Sequence, residues 1–188
     1  FSLGDLQREA YKNFHYSPQT TLRAAERLYL RALISYPRTS SQRIPPSIDL
    51  RWILNGLNEQ TRYVEFSSRL LGKYFLSPLQ GKKDDPAHPA IYPTGKKPGR
   101  MKTVDGRVYD LICRRFMASL EDPAVREVTR ATINVNGHIF FLKGSRLVER
   151  GWVLVYEPFF RAKGVVLPAL KIGQKIQIRT IESPRRFT

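Results

Sequence analysis

The chain has 188 residues, with 32 Lys and Arg against 16 Asp and Glu, and a formal net charge of +16. Because 41% of its residues are hydrophobic, a disordered basic tail is excluded, and a folded protein that binds a polyanion such as nucleic acid is indicated. A single cysteine, Cys113, excludes an internal disulfide and a cysteine-rich zinc site. No run approaches the ~20 apolar residues of a membrane span, so we expect a cytoplasmic protein without a membrane partner.

The first 123 residues are predicted to be helical, because apolar residues recur every three or four positions from Leu3 to about Ala118. We expect Thr20 or Thr21 to cap the second helix. The first two helices and the extended loop after them have the outline of a winged helix-turn-helix. The pattern predicts helices at about 5–14, 22–33, 48–57, 62–74 and 105–119, with long loops at 34–46 and 77–102.

The period changes to two after Asp122-Pro123, which indicates strands. Runs at 128–135 and 138–143 flank Asn136-Gly137, a strong hairpin turn signal, and further strands are predicted at 152–156 and 175–181. The predicted fold class is therefore α+β. A multi-helical, winged-helix (CAP-like) domain at 1–123 is followed by an antiparallel β domain at 124–188.

The segment 34–42 places a phenol, Tyr36, two residues before a guanidinium, Arg38. A phenol is almost entirely protonated at neutral pH, so adjacent positive charge is needed to favour the phenolate and to neutralise a pentavalent phosphate. The pair therefore suits attack on a phosphodiester. On the residues alone, the bland interpretation is favoured for both side chains: Tyr36 as a packed tyrosine at a helix end, and His88 as a solvated or locally hydrogen-bonded histidine in a Lys-flanked loop.

Three segments together resemble the type IA DNA topoisomerases of the archaeal type. Residues 34–42 read I-S-Y-P-R-T-S-S-Q, like the active-site tyrosine segment of that family, and residues 88–95 read H-P-A-I-Y-P-T-G, similar to its H-x-A-I-x-P-T stretch. Residues 109–119 resemble the helix that closes its tyrosine-bearing domain. The resemblance touches nearly the whole chain, and Phe1 in place of Met leads us to expect a piece of a larger polypeptide.

The resemblance implies a function. Tyr36 would cleave one strand of single-stranded DNA through a 5′-phosphotyrosine, a second strand would pass, and the break would be resealed without ATP. Arg38 would stabilise the phosphate and transition state, and His88 would position DNA. The β domain would act as the hinge of the gate. Further DNA-binding residues are expected at Arg114, Lys96, Lys97, Thr39 and Ser41.

The same resemblance implies that Mg²⁺ is held by an acidic Toprim domain that lies outside this chain. Asp84-Asp85 lacks the D-x-D-x-E arrangement of that domain, so we expect this chain to bind no metal and not to relax DNA alone. The expected partners are single-stranded and underwound DNA, at the chromosome, and the Toprim and C-terminal domains of the parent. An alternative stays open: a winged-helix regulator or architectural protein that prefers duplex DNA and uses Tyr36 only for packing.

Overall fold

The computed structural model of the protein describes residues 1–160 and 164–175. The described part contains six α-helices and one two-stranded antiparallel sheet, so the predicted α+β class is confirmed. A single 3₁₀ turn, Glu157–Phe159, follows the last helix. In chain order the elements are α1 (Leu3–Phe14), α2 (Pro18–Leu30), α3 (Leu50–Asn58), α4 (Val64–Leu71), α5 (Thr103–Ser119), β1 (Val125–Val135), β2 (His138–Glu149) and α6 (Val153–Tyr156).

The chain forms two compact units. The helical unit comprises Phe1–Val125 together with residues 149–160, and the β unit comprises Arg126–Val148 together with residues 164–175. The sequence pattern placed everything after residue 123 in the β domain. In the structure the chain instead enters the β unit and then returns, so that α6 belongs to the helical unit.

The N-termini of the first two helices are capped by serine side chains. Ser2 and Asp5 form a capping box on α1, which satisfies two amide donors that the first turn leaves free. On α2 the Ser17 hydroxyl accepts from the Thr20 amide at 3.1 Å. The prediction of Thr20 or Thr21 as the cap was therefore wrong. The helix begins earlier because Pro18, whose fixed φ suits a first helical position, follows Ser17 directly.

The core of the helical unit is built around α5, which packs against α2 and α6. Leu111 and Met117 of α5 are completely buried, as is Val155 of α6. The strand predicted at 152–156 was wrong, because this short apolar run forms α6. Runs of this length are ambiguous by periodicity, and burial of Val155 and Tyr156 against α5 decides in favour of helix.

The β unit confirms the predicted hairpin. Asn136 and Gly137 both have positive φ, at 49° and 87°, which is the backbone of a two-residue turn that matches strand twist. Across the strands, Arg146 Nη2 lies 2.8 Å from Glu127 Oε2. Both strands are largely exposed within the described residues. The strand predicted at 175–181 lies outside the described residues apart from Lys175.

Candidate active site

Two segments that are distant in sequence pair to form the candidate site. The Ser35 amide donates to the Tyr92 carbonyl at 2.9 Å, and the Tyr92 amide donates to the Ser35 hydroxyl at 3.0 Å. Ile34 forms an antiparallel bridge with Pro93, and the Ser35 hydroxyl also donates to the Ala90 carbonyl at 3.2 Å. These bonds lock the tyrosine segment to the segment that follows His88.

The end of α2 turns the chain sharply into this pairing. Ala32 adopts a left-handed conformation with φ of 55°. Its amide donates to the Tyr29 carbonyl at 2.7 Å, and the Leu33 amide donates to the Leu28 carbonyl at 3.0 Å. This is the hydrogen-bond pattern of a Schellman motif, which ends a helix within one residue. Leu33 then enters the core, and Tyr36 emerges three residues later beside the last turn of α2.

Tyr36 is half-buried between two other rings. Its ring centroid lies 4.7 Å from that of His88 at an interplanar angle of 51°, and 5.4 Å from that of Tyr29 in an edge-on arrangement. The Thr39 hydroxyl fastens this contact, because it donates to the His88 carbonyl at 3.1 Å. The phenol oxygen of Tyr36 has no hydrogen-bond partner among the residues that the structure describes. The two neighbouring rings thus hold the Tyr36 ring, and its phenol oxygen is not used in a hydrogen bond with the described residues.

Arg38 is exposed and paired with α2. Its Nε and Nη2 atoms donate to Glu26 Oε1 at 3.0 Å and 2.5 Å. A guanidinium carries five N–H donors in a planar fork, so this contact uses only one edge of it. The structure therefore places three side chains that suit phosphate chemistry, those of Tyr36, Arg38 and His88, on one surface loop cluster next to α2. Their roles stay predictions.

Thr39 and Ser41 were expected to contact DNA, but both are buried. Thr39 Oγ1 accepts from the Ser41 amide at 3.0 Å, and Ser41 Oγ accepts from the Arg43 amide at 3.1 Å. In this conformation both residues are buried and both hydroxyls bond to neighbouring backbone groups, which leaves little of either for the expected contact. We interpret both as residues that shape the loop around Arg38.

Arg114 also has partners within the protein. Its Nη1 donates to the Val155 carbonyl at 2.8 Å, its Nε lies 3.3 Å from Asp110 Oδ1, and its guanidinium carbon lies 5.3 Å from the Phe66 ring centroid. The side chain is only 12% exposed. This environment is that of an arginine that joins α5 to α4 and α6, and it leaves little of the guanidinium for a DNA phosphate.

The two lysines expected near His88 are exposed. Lys96 Nζ donates to the Arg31 carbonyl at 3.3 Å, which places its charge at the C-terminal end of α2. Lys97 is exposed beside it. The expected contacts of Lys96 and Lys97 with DNA are compatible with this placement and stay predictions.

Sequence reasoning missed three residues at the site. Glu26 and Tyr29 lie one turn apart on α2 and contact Arg38 and Tyr36. Asp85 accepts from the amides of Ala87 and Ser40, and the Ala87 bond is the main reason that its pKa lies below the ordinary value. The spacing of Glu26 and Tyr29 on a predicted helix that runs into Tyr36 was the one available signal. It indicated a shared face without indicating which residues that face contacts.

Two general features of the described residues bear on the site. Within 1–160 and 164–175, no group of three or more His, Cys, Asp or Glu side chains is arranged to hold a metal ion. No helix in the same ranges is both long and apolar enough to cross a membrane.

Comparison with known proteins matches the whole chain to one family. The DNA topoisomerase family profile covers residues 1–188. The chain is 43% identical over 190 residues to DNA topoisomerase 1 of Pyrococcus horikoshii, which covers 100% of this chain and 28% of that protein. It is 42% identical over 189 residues to DNA topoisomerase 1 of Methanocaldococcus jannaschii, which covers 100% of this chain and 25% of that protein.

A solved structure has a similar fold. Full-length topoisomerase I from Thermotoga maritima matches 91% of this chain and 28% of its own, with a TM-score of 0.63 and 24% identity. With the family profile matching along the full length, these findings place the protein in a defined class. The chain belongs to the DNA topoisomerase family, and it spans about a quarter of the length of the relatives named above.

Proposed function

We propose that this chain is the tyrosine-bearing section of a type IA DNA topoisomerase. The parent protein would cleave one strand of single-stranded DNA through a 5′-phosphotyrosine, pass a strand and religate without ATP. The observation that carries the proposal is the position of Tyr36: its ring lies against those of Tyr29 and His88, and its phenol oxygen has no hydrogen-bond partner among the described residues. Arg38 follows two residues later. A tyrosine that served packing alone would gain nothing from an arginine two residues away and an exposed histidine against its ring.

In the proposed reaction the Tyr36 phenol oxygen attacks a backbone phosphorus. A bond forms between phosphorus and the phenol oxygen, and the bond from phosphorus to the 3′ oxygen breaks. The phenol proton is lost, and the leaving 3′ oxygen takes up a proton to become a hydroxyl. One phosphodiester replaces another of similar energy, so the reverse attack reseals the strand without an external energy source.

The surrounding charges would act on the phosphate. Arg38 can present its free Nη1 end to the phosphate oxygens and stabilise the charge that develops in the transition state. His88 lies against Tyr36 and can donate a hydrogen bond from its imidazole to a neighbouring phosphate. Lys96 and Lys97 would follow the DNA backbone away from the site, which is a salt-dependent contribution to affinity.

The finer architecture and the partners belong to the same proposal. We propose that α1 and α2, which are joined by only three residues, form the helix pair of a winged-helix, CAP-like arrangement, with the β unit as part of the gate hinge. The partners would be single-stranded and underwound DNA at the chromosome, and Toprim and C-terminal domains of the parent. Carboxylates of the Toprim domain, outside this chain, would hold the Mg²⁺ that the reaction uses.

The first test is a covalent trapping assay on denaturing gels. A 3′-labelled single-stranded oligonucleotide is incubated with the parent polypeptide and Mg²⁺. We expect a slow, protease-sensitive band, because a 5′-phosphotyrosine keeps the labelled fragment on the protein. Tyr36→Phe should abolish the band while single-strand affinity is retained, since only the attacking oxygen is lost. Tyr11→Phe, at an exposed tyrosine of α1, is the matched control and should leave the band unchanged.

Two results would contradict the proposal. An adduct that survives Tyr36→Phe would exclude this tyrosine as the nucleophile. The absence of an adduct in the wild-type parent, combined with a preference for duplex over single-stranded DNA in competition binding, would instead favour a winged-helix DNA-binding protein without catalysis. Competition between single-stranded and duplex DNA distinguishes the two functions, because stacking on exposed aromatic rings favours unpaired bases.

A further inference from the structure

Arg38 is held along one edge of its guanidinium only. Both Nε and Nη2 donate to the same oxygen of Glu26, at 3.0 Å and 2.5 Å. Nη1 has no acceptor among the described residues. Because a guanidinium is rigid and planar, occupying its Nε edge determines where its opposite end points. The contact with Glu26 thus leaves the Nη1 end free and fixed in direction.

The backbone around Arg38 is fastened on both sides. Before it, the Ser35 amide donates to the Tyr92 carbonyl at 2.9 Å, and after it, the Leu3 amide donates to the Thr39 carbonyl at 2.9 Å. Thr39 is itself buried, and its hydroxyl donates to the His88 carbonyl. The path of the main chain at Arg38 is therefore set. What remains free is the long side chain itself, and Glu26 removes that freedom.

The helix that carries Glu26 is itself fixed in rotation. The next residue, Arg27, forms a forked ion pair with the buried carboxylate of Asp105 on α5, with Nε 3.2 Å and 3.1 Å from its two oxygens. Leu28 is completely buried on the same turn. One turn after Glu26, Tyr29 contacts the Tyr36 ring. A single face of α2 thus holds both the proposed nucleophile and the proposed phosphate-binding arginine.

Stability does not account for the pair of Arg38 and Glu26. Their side chains are 55% and 36% exposed, and ion pairs this exposed contribute little to folding. A carboxylate beside a phosphate-binding site also repels DNA, so Glu26 does not serve affinity. What the contact with Glu26 does provide is a fixed orientation of the Arg38 guanidinium.

We propose that Glu26 is a positioning residue. It holds Arg38 by the Nε edge during both DNA binding and cleavage, so that the Nη1 end is presented to the phosphate that Tyr36 attacks. This inference rests on the proposed function. Its rival is simple competition, in which the phosphate displaces Glu26 and takes the whole guanidinium.

The first experiment measures adduct formation by the parent polypeptide at saturating single-stranded DNA. Glu26→Ala should bind DNA as tightly as the wild type or more tightly, because a negative charge is removed. It should form the adduct ~10- to 100-fold more slowly, since a misplaced catalytic group costs about this much. Glu26→Gln keeps an oxygen acceptor for Nε and should recover most of the rate. In an Arg38→Ala background, Glu26→Ala should have no further effect.

The control is Glu157→Ala, which breaks an exposed pair with Arg150 of the same 2.5 Å length in the same unit. It should leave the rate of adduct formation unchanged. If Glu26→Ala forms adduct as fast as the wild type or faster, the positioning role is wrong and competition is favoured. If the wild-type parent forms no adduct at all, the proposed function itself fails, which is a separate result.

The second experiment does not depend on cleavage. In the full chain carrying Tyr36→Phe, the exchange of the Arg38 Nε–H with water is followed by NMR, with and without single-stranded DNA. The positioning role predicts that this proton is protected in both states and that Glu26→Ala removes the protection in both. If protection in the DNA complex persists in Glu26→Ala, the phosphate has replaced the carboxylate, and the proposal is overturned.

Discussion

The contact between α3 and the loop after Pro93 allows one prediction to be worked out in detail. Gly56 lies within α3, and a Cβ built on it would be 1.9 Å from the Gly95 carbonyl oxygen. Gly95 has φ of 88° and itself approaches the Ile53 backbone. The atoms that a Cβ meets are therefore backbone and cannot rotate away. Gly56→Ala would have to move the loop by about 1 Å to reach even a tight contact.

Two effects of opposite sign decide the magnitude. Alanine is favoured over glycine within a helix by about 1 kcal/mol. Overpacking against a rigid neighbour costs about 3 kcal/mol, the upper end of the usual range, because backbone has to shift. We therefore expect Gly56→Ala to lower the free energy of unfolding by ~2 kcal/mol. For a chain of this length that corresponds to a fall of roughly 4 to 8 °C in Tm.

The assay is thermal unfolding followed by circular dichroism, with Gly106→Ala as the matched control. Gly106 lies within α5, and a Cβ there would meet no atom within 4 Å. The control should therefore show only the helix effect and gain up to ~1 kcal/mol. If Gly56→Ala is as stable as Gly106→Ala, the close approach of α3 to Gly95 does not exist. The position of the 90–95 segment, which pairs with the Tyr36 segment at the candidate site, would then be wrong.

Two further predictions concern single charged groups. Burial alone would raise the pKa of Asp5, but hydrogen bonds from Gln42 and Ser2 outweigh it and lower the pKa. Asp5→Asn should lower the free energy of unfolding by ~1 kcal/mol at pH 7. A carboxylate whose pKa is lowered by folding stabilises the protein only while it is ionised, so the difference from the wild type should disappear as the pH falls below about 4. Urea unfolding at several pH values measures this, and a difference that does not change with pH would contradict the prediction. Arg114→Ala should lower the free energy of unfolding by ~2 kcal/mol, since the Val155 carbonyl loses a charged donor. The dependence of single-strand affinity on salt concentration should stay unchanged. A log–log slope smaller by about one would instead show that Arg114 contacts a phosphate.

The extent to which the sequence predicted the fold depended on how local each signal was. The hairpin at Asn136-Gly137 was predicted correctly because its turn chemistry lies within two residues. The strand predicted at 152–156 failed because a five-residue apolar run carries no reliable period, and α6 formed where α5 offered an apolar surface to cover.

The candidate site divides in the same way. Tyr36 and Arg38 could be selected from the sequence, because two residues of separation keep them together in any extended loop. The burial of Thr39 and Ser41 could not, since it depends on hydrogen bonds to segments on both sides of them. Glu26 lies on a predicted helix, yet nothing in the helical pattern pairs it with Arg38.

The sequence by itself determined the helical character of the first part, the basic charge and the presence of the tyrosine segment, because composition, periodicity and short motifs are properties of neighbouring residues. Only the tertiary structure decided that His88, 52 positions after Tyr36, packs against its ring, and that α2 supplies Glu26 and Tyr29 to the same place. Those contacts result from the pairing of Ser35 with Tyr92 and from the sharp end of α2 at Ala32. Long-range hydrogen bonds and burial form only when the whole core is assembled, so they leave no local pattern to read.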